Sequence, residues 1–252
     1  MRILVSLALA CCSCLAAAGK PVIAVAANLS KPMESLAAKF ASESGMQVRL
    51  TIGSSGDLLR QIQQGAPYEI YIAAATSYTA RAQEEKLIDG EPVMLAVASM
   101  GAFIPGGSSL EGAPDLTELG RMLAAGKYKR IAMANPEVAP FGVAAQQALE
   151  KMGVWTIEQD RLVLGENVAQ TVQFTLAGGV DVGFIPESFA LLPEVATHGR
   201  FLPVPPGWHD PLTQTMVLLH GAGSEARAFF VFLQSPATRE FLLHSGYGTP
   251  AP

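Results

Sequence analysis

LTIGSSGDLLRQIQQGAP, residues 50–67, holds three things in a row: a β-like run, two serines bracketed by glycines, and a helix that stops at Gly65. The same strand-to-helix step recurs on either side. Upstream, PVIAVAAN (21–28) reads as a buried strand, and KPMESLAAKFASESG (31–45) as a helix with Pro32 in its first turn and Gly45 as its stop. MQVRLTIG (46–53) is the second strand, YEIYIAAA (68–75) the third, and SYTARAQEEKL (77–87) the next helix. The order βαβαβα predicts α/β architecture, with mostly parallel sheets and helices on both faces.

A second alternating set follows. The strand-rich segment 93–107 changes character at Gly101, a capped helix covers 113–126, and strand and helix then alternate through 129–136, 140–153, 161–165, 167–179 and 180–188. The proline-rich stretch FLPVPPGWHDPL (201–212) punctuates its end, a strand at 213–221 returns to the first set, and one helix over 224–246 closes the chain. These breaks predict two lobes, 19–98 plus 208–252 and 99–207, with a ligand cleft between them.

Composition excludes several functions. Seventeen Lys+Arg against 22 Asp+Glu, with no basic run, lacks the electrostatic footprint of a nucleic-acid binder. Residues 1–18 carry one arginine, an apolar run and the small-residue pattern at Ala16 and Ala18, as in a secretory signal cleaved near Ala18. Cys11, Cys12 and Cys14 all lie inside that segment, so the mature chain has neither disulfides nor cysteine-ligated metals. An acylated Cys12 is the alternative reading. No later segment reaches the roughly 18 consecutive apolar residues of a membrane span, so a soluble protein of the periplasm is expected.

The junctions carry the chemistry. Asn28 and Ser30 precede the first helix, Ser54 and Ser55 the second, and Pro140 and Asn167 open the two second-lobe helices. Any one of these is an ordinary cap. In an open α/β sheet, however, the carboxyl ends of the strands face the ligand crevice, and a helix N-terminus there offers free N–H groups and a favourable dipole to an anion. Four such junctions aimed at one point make an anion cradle, with Gly53 and Gly56 expected to let the backbone approach the ligand. Asp57 reads as a first-turn acid and Arg60 as its ion-paired or solvated neighbour. GSSGD lacks the second glycine of a nucleophile elbow, and His198, His209, His220 and His244 show no metal-binding spacing, so no enzyme, metal site or cofactor is expected.

The segments VAANLSKPM, GSSGDLLRQIQQGAP, NPEVAPFGVAAQQALEKMGVW, GENVAQTVQ, VDVGFIPES and WHDPLTQTMVLL resemble, in order and spacing, the periplasmic molybdate-binding receptors of ABC importers. That resemblance covers nearly the whole chain after the signal. It implies a type II periplasmic-binding-protein fold whose lobes close on a tetrahedral oxyanion, molybdate or tungstate, for delivery to a membrane ABC permease by a monomeric receptor. The family's ligand contacts fall on Asn28, on Ser55 and, through backbone N–H groups, on Phe141 and Val168, with Ser54 and Ala27 beside them. Ala27 stands where relatives often have a hydroxyl, Glu69 and Ala75 replace the family's usual aspartates around the third strand, and Pro186 stands where one branch has a ligand tyrosine. These departures leave sulfate or another small anion as the alternative ligand, and a secreted hydrolase as the alternative class. Phosphate, protonated at neutral pH, would need an acceptor such as Asp57 or Glu166.

Overall fold

The computed structural model describes residues 19–156 and 159–249; the signal segment and its cysteines lie outside the described residues. Two sheets organise the chain. The first has the order β11-β4-β10-β3-β1-β2, the second β7-β6-β8-β5-β9. The strands of the first are β1 (Val22–Ala26), β2 (Arg49–Gly53), β3 (Ile70–Ala73), β4 (Ile88–Ala98), β10 (Leu212–Leu219) and β11 (Tyr247–Gly248). Those of the second are β5 (Met100–Pro105), β6 (Ile131–Ala134), β7 (Leu162–Gly165), β8 (Val182–Pro186) and β9 (Gly199–Pro203). The chain therefore leaves the first sheet at Ser99 and comes back through 204–211.

Central strands are apolar on both faces because both faces are covered. Along β1 every residue is buried, and the two-residue period sends Ile23 and Val25 into one core while Ala24 joins Leu58, Leu59, Ile62 and Tyr71 in a second. The first core takes Met33, Leu36 and Phe40 of α1 (Ser30–Ser44); the second takes α2 (Ser55–Gln63) and α3 (Thr76–Glu84), so helices lie on both faces.

The parallel expectation holds at the heart of each sheet and gives way outside it. β1 is parallel to β2 and β3, and β6 to β7 and β8. β10 runs antiparallel to both its neighbours β3 and β4, and β5 antiparallel to both β8 and β9. β10 and β5 each reach their sheet by a crossing from the other sheet rather than by a helical crossover from a neighbouring strand, so nothing forces the parallel direction. β9 falls in the stretch read as mere punctuation; Pro203 ends it on a sheet edge, where a missing N–H is harmless. The single helix expected over 224–246 is two, α9 (Ser224–Leu233) and α10 (Pro236–His244). Pro236 cannot continue a helical ladder, and the Ser235 side chain instead accepts from Thr238 N–H to cap a new one.

The remaining helices are α4 (Leu116–Ala124), α5 (Pro140–Lys151) and α6 (Val168–Leu176), with the single turns α7 (Glu187–Ala190) and α8 (Pro193–Ala196). None of the described helices is long and apolar enough to cross a membrane.

Candidate functional site

Four chain segments meet where the two sheets face each other. One cavity is lined on the first-sheet side by Ala27, Asn28, Gly53, Ser54, Ser55 and Ala74, and on the second-sheet side by Pro140, Phe141, Asn167 and Val168. The six residues singled out in the sequence, Ala27, Asn28, Ser54, Ser55, Phe141 and Val168, thus come to one place, each at most 4% exposed. The free space is small, ≈ 10 Å³, about what the centre of one water-sized group needs. Larger hollows exist, one of ≈ 250 Å³ beside α1, α7 and α10 and one of ≈ 390 Å³ between α3 and α5. Size alone would choose those; the convergence of helix N-termini chooses the small one.

Local bonding decides which donors remain at each terminus, since the first N–H groups of a helix have no carbonyl behind them. At α6, Asn167 Oδ1 accepts from Ala169 N–H at 3.0 Å and Gln170 N–H at 3.2 Å, leaving Val168 N–H. At α5, Pro140 has no N–H, Gly142 and Val143 donate to Ala139 O at 2.8 and 3.2 Å, and Phe141 N–H is left. At α2, Asp57 N–H goes to Ser54 Oγ at 3.2 Å and Gly56 N–H to Val138 O at 2.8 Å, leaving Ser55 N–H. Each helix spends its other early donors on its own cap or its neighbour and leaves one at a residue that lines the cavity.

The two serines have different jobs. Ser54 Oγ donates to Asp57 Oδ2 at 2.6 Å, so its hydroxyl is committed to capping, and Asp57 is further paired with Arg60. Ser55 Oγ accepts from Ala74 N–H at 3.0 Å and makes no other hydrogen bond among the described residues, so its proton is available. Tyr71 donates to Ser55 O at 2.7 Å. Burial pushes that phenol well above its ordinary pKa, so it remains a donor at neutral pH. Ser55 is thus held by β3 and the residue after it.

Asn28 is positioned by a relay. Its Nδ2 donates to Gln214 Oε1 at 2.9 Å, and Gln214, fully buried on β10, donates in turn to Leu212 O at 2.8 Å. The Asn28 main chain, in a short 3₁₀ turn over Ala27–Leu29, accepts from Tyr247 OH at 2.6 Å. Burial raises the Tyr247 pKa as well, which keeps that phenol a donor. Asn28 Oδ1 is buried without a hydrogen-bond partner among the described residues. The side chain the sequence offers as a ligand donor is therefore largely engaged in holding its own loop.

Gly142 makes the α5 geometry possible, because a Cβ there would lie 2.4 Å from Ala134 O at the end of β6. Gly53 lines the cavity. Gly56 differs from expectation: its backbone closes on Val138 of the facing segment.

Other departures are structural. Glu69 Oε2 accepts from Gly223 N–H at 2.7 Å, at the start of α9. Ala75 precedes α3 without a side-chain cap, and Pro186 pairs with Met100 at the end of β8, outside the cavity lining. Among the described residues, neither Asp57 nor Glu166 lines the cavity, nor does any Lys or Arg. His209 sits on the return crossing, its Nδ1 2.7 Å from Asp210 O. Sequence reasoning missed Gln214 and Tyr247, which look like any buried polar residue in a strand until the fold brings them to Asn28.

Residues 21–248 match the family model of the bacterial extracellular solute-binding proteins. The chain is 31% identical to the molybdate-binding protein ModA of Azotobacter vinelandii over 98% of this chain and 97% of that protein. It is 32% identical to the ModA of Rhodobacter capsulatus over 93% and 90%. The solved periplasmic molybdate-binding protein of A. vinelandii superposes with a TM-score of 0.83 at 25% identity, covering 92% of this chain and all of that one.

Proposed function

Because the chain belongs to the bacterial extracellular solute-binding proteins, we propose that it captures a tetrahedral dianion, molybdate or tungstate, in this cavity for an ABC importer. The observation that carries the reading is the set of single unspent N–H groups on α2, α5 and α6, joined by the Ser55 hydroxyl, around one small cavity. Phe141 and Val168 donate through the main chain, Ser55 through both main chain and hydroxyl, and Asn28 through its first-turn N–H while its amide holds the loop. Ser54 and Ala27 shape the wall.

Helix dipoles and neutral donors balance the two negative charges without a counter-cation. Among the described residues no carboxylate lines the cavity, so a protonated anion such as hydrogen phosphate finds no acidic acceptor there. Molybdate and tungstate, nearly equal in size and charge, bind alike; sulfate is smaller and is discriminated by volume. The lobes, 19–98 plus 208–252 and 99–207, close about Ser99 and the return segment. The protein acts in the periplasm as a monomer after cleavage near Ala18, and passes its cargo to the membrane permease.

Isothermal titration calorimetry of the mature protein with molybdate, tungstate, sulfate and phosphate tests this. Tight one-to-one binding of the first two is expected. Binding of sulfate or phosphate in preference to them, or of none, refutes it.

A further inference from the structure

Beside the cradle, two backbone segments from opposite sides of the cleft touch directly. Gly56 N–H donates to Val138 O at 2.8 Å, and a Cβ at Gly56 would lie 2.9 Å from that oxygen and 3.0 Å from Val138 Cα. Both obstacles are main-chain atoms, which cannot swing aside as a side-chain tip does. Gly56 is the second residue of α2 and does not have a positive φ, so its own conformation does not call for glycine. Alanine would be the better helix former there. What the position requires is room for the other side of the cleft.

Val138 is a firm abutment. It is buried, its N–H donates to Asn135 O at 3.2 Å, and Ala139 N–H donates to the same carbonyl at 2.9 Å. Gly56 follows Ser55, and Val138 comes three residues before Phe141. The contact therefore sits between two termini whose donors face the cavity, and fixes how near they can come.

We propose that Gly56 and Val138 form the stop that ends lobe closure, and that Gly56 thereby sets the size of anion the cradle accepts. This rests on the oxyanion-receptor reading of the site. The backbone hydrogen bond rewards full closure, and the absence of a Cβ lets closure proceed until Ser55 and Phe141 both reach the anion. With a methyl group at 56 the lobes halt earlier, the cradle stays wider, and a small anion loses its far wall before a large one does.

The test is Gly56→Ala, titrated with molybdate, chromate and sulfate at a mildly alkaline pH where all three are dianions, alongside thermal unfolding of the free protein. Molybdate affinity should fall on the order of tenfold, as for loss of a hydrogen bond with a steric penalty, and the smaller anions by more. The free protein should melt no lower than wild type, because only the closed form meets the clash. Unchanged molybdate affinity overturns the proposal, as does an equal loss for all three anions or a lowered melting temperature that accounts for the lost binding. A readout without ligand separates this idea from the function beneath it. Thr76→Cys with Val143→Cys, across the ≈ 390 Å³ hollow between α3 and α5, allows a short bis-maleimide to trap the closed form. Trapping of the free protein should slow when Gly56→Ala is added. If wild type binds no oxyanion, the receptor reading falls and this rate alone decides the stop: an equal rate refutes it.

Discussion

Ser55→Ala separates what the hydroxyl does for the fold from what it does for a ligand. In the free protein Ser55 Oγ accepts from Ala74 N–H at 3.0 Å, and Ala74 is 2% exposed, so the substitution leaves a buried donor unpaired. That should cost about 1–3 kcal/mol of folding stability. On the proposed reading the same oxygen donates its proton to the anion, and losing a hydrogen bond to a charged partner costs a further ~1.5–3 kcal/mol of binding, roughly 10- to 150-fold in Kd. Ser54→Ala is the control. It removes a cap worth about 0.5–2 kcal/mol to α2 while leaving the inward donors in place, so stability falls and affinity changes by less than about threefold. Urea unfolding of the free variants and calorimetric titration with molybdate measure the two quantities independently. If Ser55→Ala binds within twofold of wild type, or if Ser54→Ala loses more affinity than Ser55→Ala, the assignment of roles to the two serines is wrong.

Gln214→Leu keeps the volume but strips Asn28 of its amide partner in a fully buried position; stability should fall by about 2 kcal/mol and molybdate affinity several-fold, both visible in the same two assays. Asp181 is buried, which by itself would raise its pKa, yet donors from Lys129 N–H, Ser109 and Arg130 N–H hold the carboxyl below its ordinary value. A lowered folded pKa contributes stability that is present above the unfolded value of about 4 and is lost as pH falls through the folded one, so Asp181→Asn should lose about 2 kcal/mol at neutral pH and flatten the acid limb of a stability-versus-pH curve. With no charged side chain lining the cavity, molybdate affinity should vary by less than about threefold between 0.05 and 0.5 M salt, where a site built on surface lysines would vary far more.

The alternation of strand and helix was legible because parallel strands covered on both faces leave continuous apolar runs such as VIAVA, and because Gly45, Gly65 and Pro32 mark helix ends. The reversed direction of β5 and β10 was not, since nothing in their composition marks it and the two crossings between the sheets determine which way they run. The division of 224–246 was readable from Ser235-Pro236, a cap followed by a residue that cannot extend a helix, but the apolar spacing on both sides masked it. The residues that line the small cavity could be located from their junctions and from family resemblance. Their individual tasks could not. Ser54 and Ser55 are chemically identical, and only the partners supplied by Asp57 and Ala74 tell a cap from a donor. Gly56 looked like a ligand-facing glycine because its partner, Val138, lies 82 positions further along the chain and nothing local announces it.

On the proposed reading, two of the cradle's donors belong to the main chain, and this makes part of the recognition surface silent to side-chain identity. Phe141 and Val168 offer the same N–H whatever residue stands there, except one. Saturation mutagenesis scored by anion uptake would therefore trace broad tolerance at both positions, graded by packing, with a single deep trough at proline. A genome survey that infers cargo from the side chains of such a site would be comparing letters the anion never touches, while the conformation that aims those two N–H groups is written by Asn167, Pro140 and Gly142, one step away.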